Sequence, residues 1–272
     1  MNISSIPNLR EQIKIVFFDI DDTLFVKFKD HLPASVAPAL RQLKANGIMP
    51  AIATGRAPCS LPPQIYQLID EVGIELFVTM NGQYATYQGK EIEKHPIPTE
   101  KIGKIVNFFD RHNIEYAFVS QDDVYISNAT PELHSALDPV LTGYHIDKTY
   151  YQRHEVFQIL PFYRAEQDEL VESSGILEGL RVVRWDVDSV DLFDAEGSKA
   201  RGIQAAVHHL GLKMENVMAF GDGLNDLEML QVVGVGVAMG NAHQELKAVA
   251  DFVTDHIEEN GIVNFLKKAS LI

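Results

Sequence analysis

Short apolar runs and amphipathic stretches alternate along the first eighty residues. Ile13 to Phe18 is apolar apart from Lys14 and rich in β-branched and aromatic side chains, the pattern of a strand buried on both faces. Ser35 to Asn46 carries apolar residues at helical spacing and stops at Gly47, which suits the residue just past a helix end. Ile48 to Ala53 reads as a second buried strand, Pro62 to Val72 as a helix closed by Gly73, and Glu75 to Met80 as a third strand. This βαβαβ order implies a parallel sheet with right-handed crossovers.

The rhythm then changes. Gln83 to His95 interleaves polar and apolar residues around Gln88-Gly89, the signature of a hairpin. Helices are predicted over Thr99 to His112, near Pro131 to Leu137 and near Ala165 to Glu172. Strands are predicted at Ile114 to Val119, Val124 to Ser127, Val156 to Leu160 and Leu180 to Trp185. The α/β alternation resumes with Val190 to Phe193, helix Ser198 to Leu210, strand Val217 to Phe220, helix Leu224 to Leu230 and strand Val235 to Met239. The expected organisation is a discontinuous α/β core, residues 1–82 and 188–272, with an inserted α+β domain over 83–187. The two crossings are expected to be short hinges.

Composition narrows the classes of function. With 272 residues and 46% hydrophobic content the chain can build a real core. Asp plus Glu number 38 against 23 Lys plus Arg, a formal charge of −15, which repels nucleic-acid phosphates and anionic membranes. An anionic small substrate remains allowed only where a metal or local cations reverse the field. The lone cysteine, Cys59, excludes an internal disulfide framework and a cysteine zinc site. Residues Met1 to Glu11 lack an apolar signal core, and no stretch approaches ~18 uninterrupted apolar residues. The expected setting is cytoplasmic, without membrane or nucleic-acid partners, as a monomer or weak homodimer.

Four places carry polar residues that a strand-turn-helix scaffold does not need. Asp19 and Asp21 follow the first hydrophobic run, where a turn or helix cap would account for them as well as a site would. Thr54-Gly55-Arg56 follows the second run and in isolation reads more simply as a turn, although its hydroxyl and flexible backbone could hydrogen-bond a phosphate. Lys199, after Gly197-Ser198, opposes the dipole of the helix it begins, at a cost of ~0.3–1 kcal/mol, so an unpaired cation there calls for an anion or carboxylate. In Gly221-Asp222-Gly223-Leu224-Asn225-Asp226, an N-cap with an acidic first turn explains Asp222 and Asp226 but not the combination. In an open α/β sheet these positions converge at the carboxyl ends of the strands. Asp19, Asp21, Asp222 and Asp226 would then crowd together, and hard oxygen ligands without His or Cys select Mg²⁺.

The series Asp19-Ile20-Asp21-Asp22-Thr23, Thr54, Lys199 and Gly221-Asp222 through Asn225-Asp226 resembles the four motifs of the haloacid dehalogenase (HAD) superfamily. The insertion between Thr54 and Lys199 looks like the C2-type cap of its Cof-like branch, on a Rossmann-like parallel-sheet core. Asp22 departs from the Gly that many members carry. The resemblance implies that Asp19 is the nucleophile and forms an aspartyl-phosphate, and that Asp21 is the general acid and base. It implies Mg²⁺ held by Asp19, the backbone carbonyl of Asp21 and Asp222. Ile20, Thr54, Gly55, Lys199 and Asn225 would bind the phosphoryl oxygens, with Asp226 orienting Lys199 or metal waters from behind. Asp21 argues for a phosphatase or phosphomutase, since ATPase-type members carry Thr there. The expected substrate is a small phosphorylated metabolite, a sugar phosphate or a phosphorylated cofactor, with a sugar phosphomutase or a non-catalytic phosphometabolite-binding regulator as the alternatives. The cap is expected to choose the leaving group, but spacing does not single out its contacts. His134, His145, Arg153, His154, Arg164 and Arg184 read more simply as solvated surface, and Trp185 and Tyr144, Tyr150 and Tyr151 as core or interface fillers.

Overall fold

The computed structural model describes residues 6–139, 141 and 143–272. Five strands come first: β1 (Ile15–Phe18), β2 (Met49–Ala53), β3 (Leu76–Thr79), β4 (Tyr84–Tyr87) and β5 (Lys90–Lys94). Six follow in the middle of the chain: β6 (Glu115–Val119), β7 (Val124–Ile126), β8 (His145–Ile146), β9 (Gln158–Phe162), β10 (Leu180–Asp186) and β11 (Ser189–Asp194). The last are β12 (Val217–Gly221), β13 (Val235–Ala238) and β14 (Phe252–Val253). The helices are α1 (Val36–Ala45), α2 (Pro63–Val72), α3 (Thr99–His112), α4 (Pro131–Leu137), α5 (Asp168–Ser173), α6 (Lys199–His209), α7 (Leu227–Val232), α8 (Gln244–Val249) and α9 (Gly261–Lys268).

The chain divides into two compact units. The first comprises residues 6–55, Leu61–Glu93 and Ser198–Ile272, and the second Arg56–Ser60 and Lys94–Gly197. In the first, eight strands run in the order β14-β13-β12-β1-β2-β3-β4-β5. From β14 to β3 every pairing is parallel, and β4 joins antiparallel to β3. Strand β1 lies in the middle, and Ile15, Val16, Phe17 and Phe18 have no exposed surface. A strand buried on both faces needs that unbroken apolar run, because helices cover each side of the sheet. Phe18 stacks on Phe220 of the neighbouring strand at 5.4 Å between ring centres.

The second unit is a six-stranded sheet, order β10-β11-β9-β6-β7-β8, whose pairings from β10 through β7 are antiparallel. One face builds its own apolar cluster, in which Ile102, Ile105 and Phe109 of α3 meet Tyr116, Phe118, Ile159, Val190 and Leu192.

The boundaries differ from those expected at 82 and 187. The hairpin β4–β5 extends the first sheet, turning at Gln88 (φ 51°) and Gly89 (φ 70°), the paired left-handed conformation of a tight hairpin turn. Strand β11, expected to resume the core, pairs instead with β10 and β9. Periodicity marks both segments as strands, but nothing local to a strand states which sheet supplies its partner.

Candidate active site

Asp19, Thr54 and Asp222 are each the first residue beyond the carboxyl end of a parallel strand, β1, β2 and β12 respectively. These three strands are neighbours in the sheet. The chain order departs from β1 in opposite directions, to β2 on one side and β12 on the other, which is the switch point where open α/β sheets bind ligands. The ladder carries through to the site itself: the Asp19 amide donates to the Phe220 carbonyl at 3.0 Å, and the Thr54 amide to the Val78 carbonyl at 2.9 Å.

Lys199 opens α6 and is wholly buried. Its Nζ lies 2.8 Å from Asp19 Oδ1 and 2.7 Å from Asp226 Oδ1. Burial opposes the ammonium charge, but the two carboxylates outweigh it and hold the lysine above its ordinary range. The misfit of a cation at a helix N-terminus is thus relieved by two anions. Asp19 is pushed well above the usual carboxylate range, first by burial, with Asp226, Asp222 and Asp21 adding to the shift and Lys199 opposing it.

Asp226 is also fully buried, and all its bonds point inward. One oxygen takes Lys199; the other accepts the amides of Asp222 (2.9 Å) and Gly223 (3.0 Å). This carboxylate folds the loop after β12 back on itself and so fixes Asp222. The tightness of the turn excludes any side chain at Gly221, where a Cβ would stand 2.5 Å from Asp226 Cγ. Asp222 accepts the buried Thr23 hydroxyl on Oδ1 at 2.8 Å. Burial and the nearby Asp226 nevertheless push the Asp222 carboxyl up to about 7.

Asn225 and Gly55 are brought together by a residue that the sequence reading does not single out. Asn81 accepts from Asn225 Nδ2 at 3.1 Å, and its amide donates to the Thr54 carbonyl at 3.1 Å. A Cβ on Gly55 would lie 3.2 Å from the Asn81 amide group and 3.5 Å from Asn225 Nδ2. Asn81 is buried and left-handed (φ 51°), the conformation Asn tolerates best after Gly. The available signal was Asn81-Gly82 directly after β3, at the same sheet edge as the other motifs. Gly82 is required there: at φ 82° its missing Cβ would overlap the Ser198 carbonyl, so the start of α6 and Lys199 can seat against the end of β3.

Asp21 and Asp22 lie in the turn after Asp19. Asp21 bridges to Phe25, and the Asp22 amide donates to the Phe25 carbonyl at 2.7 Å. Asp22 is left-handed at φ 54°, which explains why Gly also suits the position. Its Oδ1 accepts the Lys27 amide at 3.1 Å, and its carbonyl accepts Asn241 Nδ2 at 2.7 Å. Ile20 is fully buried between the two aspartates.

One carboxylate oxygen from each of Asp19, Asp222 and Asp226 lies within 4.8 Å of the others. When all three are ionised, the carboxylates exceed the one ammonium by two negative charges, which a divalent cation would balance. The donors are all hard oxygens, as magnesium prefers. Asp226 spends both oxygens on Lys199 and two amides, so Asp19 and Asp222 are the side chains fitted to hold the ion, and Asp226 supports them from behind.

In the second unit, the candidate side chains are engaged close to home. His145 pairs with Asp123, Arg153 with Asp147, Arg164 with Asp188 and Arg184 with Asp168. Tyr150 stacks on Tyr125 and His154, and Tyr144 bonds Asp138 and His134. Tyr150 alone of this group of tyrosines is buried in the unit's core.

Comparison with known proteins gives a consistent result. The profile of the haloacid dehalogenase-like hydrolases matches residues 16–266. A putative bifunctional phosphatase/peptidyl-prolyl cis-trans isomerase of Streptococcus pyogenes is 36% identical over 96% of this chain, which spans about half (55%) of that protein's length. The putative phosphatase YkrA of Bacillus subtilis is 35% identical over 95% of this chain and 98% of its own. Among solved structures, a hypothetical protein of Geobacillus kaustophilus HTA426 superposes with a TM-score of 0.88 at 40% identity, covering 96% of this chain and all of its own. The HAD subclass IIB sugar phosphatase BT4131 superposes with a TM-score of 0.82 at 32% identity, covering 95% of this chain and all of its own.

Proposed function

The chain belongs to the haloacid dehalogenase-like hydrolases and to their phosphatases, and from that premise we propose that it is a magnesium-dependent enzyme releasing phosphate from a small phosphorylated metabolite through a phosphoryl-aspartate at Asp19. The substrate class is a sugar phosphate or a phosphorylated cofactor. Similarity to a protein described as a sugar phosphatase supports the first.

The observation that carries the reading is the buried Lys199, which joins Asp19 to Asp226 within reach of Asp222. A carboxylate attacking a phosphate dianion meets strong repulsion, and fixed positive charge at the reacting oxygens lowers it. Asp19, Asp222 and the carbonyl of Asp21 would hold Mg²⁺, which would supply further charge neutralisation at the phosphoryl oxygens. In the first step an Asp19 oxygen bonds to phosphorus as the bond to the leaving oxygen breaks, and Asp21 delivers the proton to that oxygen. In the second, Asp21 takes a proton from water, the water oxygen bonds to phosphorus, and Asp19 leaves as carboxylate. Splitting the displacement in this way replaces one hard step by two easier ones. Thr54, the amides of Ile20 and Gly55, Lys199 and Asn225 hold the transferring group in line, and Asn81 positions Asn225.

Phosphate release from a panel of sugar phosphates and phosphorylated cofactors tests the proposal, with Mg²⁺ and then with EDTA, and without any bisphosphate activator. Turnover that requires Mg²⁺ and vanishes in Asp19→Asn is expected. Near-full turnover by that variant would remove Asp19 as nucleophile, and release only with a bisphosphate present would point to a mutase.

A further inference from the structure

The turn after β3 is left-handed at three successive residues, Met80 (φ 50°), Asn81 (φ 51°) and Gly82 (φ 82°). Only Gly adopts that conformation freely, and strain at Met and Asn persists where the surroundings over-determine it. Two glycines let the first turn of α6 press against this segment. A Cβ on Gly82 would overlap the Ser198 carbonyl, and one on Gly202 would stand 2.5 Å from Val78 Cγ1. Gln83 closes the turn. Its amide donates to the Met80 carbonyl at 3.1 Å, and its side-chain Oε1 accepts Arg201 Nη2 of α6 at 3.0 Å, across 118 positions of sequence. Gln83 has no exposed surface, and its Nε2 is buried without a hydrogen-bond partner among the described residues. An unpaired buried donor is costly, whereas an apolar side chain of the same shape has none to leave unpaired. Burial therefore does not account for a glutamine here; the acceptor it offers Arg201 does.

We propose that Gln83 is a positioning residue for phosphoryl transfer, locking the turn that carries Asn81 against the helix that begins with Lys199. On one side of this tie, Asn81 accepts from Asn225 and donates its amide to the Thr54 carbonyl. On the other, Lys199 lies between Asp19 and Asp226. Arg201 stands two residues beyond Lys199 in the same helical turn, so its bond to Gln83 holds the spacing between the end of β3 and the buried ammonium. Gln83 acts through Asn81 and Lys199, and its effect on turnover rests on the phosphatase reading. Reacting groups displaced by ~1 Å lose as much as about 10²-fold in rate, so a tie at this distance from the chemistry can still be felt.

The test compares the full chain with Gln83→Met, which keeps the length but removes the acceptor, and Gln83→Glu, which keeps an acceptor for Arg201 and has no N–H to leave unpaired. The first arm measures amide hydrogen exchange at Asn81 and needs no turnover. Exchange about tenfold or more faster in Gln83→Met, at a Tm close to the parent's, supports the lock, and parental exchange overturns it. The second arm measures phosphate release from p-nitrophenyl phosphate. In Gln83→Met, kcat is expected to fall about tenfold or more with KM little changed, and in Gln83→Glu to stay within about threefold of the parent. Parental kcat in Gln83→Met, or a loss that Gln83→Glu does not restore, overturns the positioning role. A Gln83→Met chain without a cooperative melt overturns it too, since the side chain then serves the fold. A parent chain that releases no phosphate removes the phosphatase reading alone, and the exchange arm still decides the lock.

Discussion

Lys199 Nζ sits 2.8 Å from Asp19 Oδ1, and neither side chain reaches solvent to any useful extent. The pair shares its ammonium with Asp226, so removing the cation strands two buried carboxylates at once. Breaking a buried pair in this way typically costs about 3–5 kcal/mol. Lys199→Met is expected to lose that much stability by urea unfolding and at least about 10²-fold in kcat, comparable to loss of one transition-state donor. A Lys199→Met enzyme with parental kcat would show that the ammonium only supports the fold.

Excess negative charge at the site makes a prediction about metal. Asp222 is raised to about 7 by burial and by Asp226, so without a cation it is only partly ionised at neutral pH. Mg²⁺ binding favours its ionised form, and a ligand present at 100 times its Kd stabilises a fold by about 2.7 kcal/mol. Differential scanning calorimetry is expected to show a rise in Tm of several degrees with Mg²⁺ that EDTA reverses. Asp222→Asn should abolish the rise. An unchanged Tm across millimolar Mg²⁺ would speak against a resident ion.

The turn after β1 separates backbone from side-chain demands at Asp22. Its left-handed φ of 54° is tolerated by Asp, freely adopted by Gly and strained for a β-branched residue. Asp22→Gly is expected to stay within ~1 kcal/mol of the parent, trading relaxed backbone for the lost bond to the Lys27 amide. Asp22→Val should cost at least about 2 kcal/mol. Chemical denaturation of the two variants decides it, and equal stabilities would mean the turn relaxes.

Asn81 joins Asn225 to the Thr54 loop, and Gly at position 81 would keep its left-handed φ while deleting the amide. Asn81→Gly is therefore expected to lower kcat/KM about tenfold with little change in Tm. Phosphate-release kinetics that match the parent would leave Asn225 positioned without it.

These residues mark where sequence reasoning ends. Asp19, Lys199 and Asp222 are legible because each breaks a local rule: a charge ends an apolar strand, or a cation begins a helix; Thr54, an ordinary turn residue by itself, is legible only through its place in the motif series. Asn81 breaks none, since Asn-Gly after a strand is an ordinary turn, and only the sheet order brings it beside Asn225. The same limit applies to β11. Its alternation declares a strand, while its partners β9 and β10 are set by pairing that no single strand encodes. Helices α8 and α9 fall beyond the last predicted element, although α9 buries Ile262, Val263, Phe265 and Leu266 and sets Phe265 edge-on against Phe220 of β12.

Asp191 allows a pH prediction independent of catalysis. Its folded value of about 8 lies above the ordinary 3.8, because burial penalises the charged form. Between those values the folded chain holds a proton that the unfolded chain releases, so stability falls as pH rises, by up to about 1.4 kcal/mol per unit. The contribution is fully present below the unfolded value and lost by the time pH passes about 8. Asp191→Asn cannot titrate, and so removes this one dependence while leaving every other group in place. Its stability relative to the parent should therefore rise with pH, by on the order of 3 kcal/mol between pH 5 and pH 8. Urea unfolding of both proteins at pH 5, 6, 7 and 8 measures the difference directly. A difference that stays flat over that range would mean Asp191 titrates normally, with its carboxyl reached by solvent in the native state.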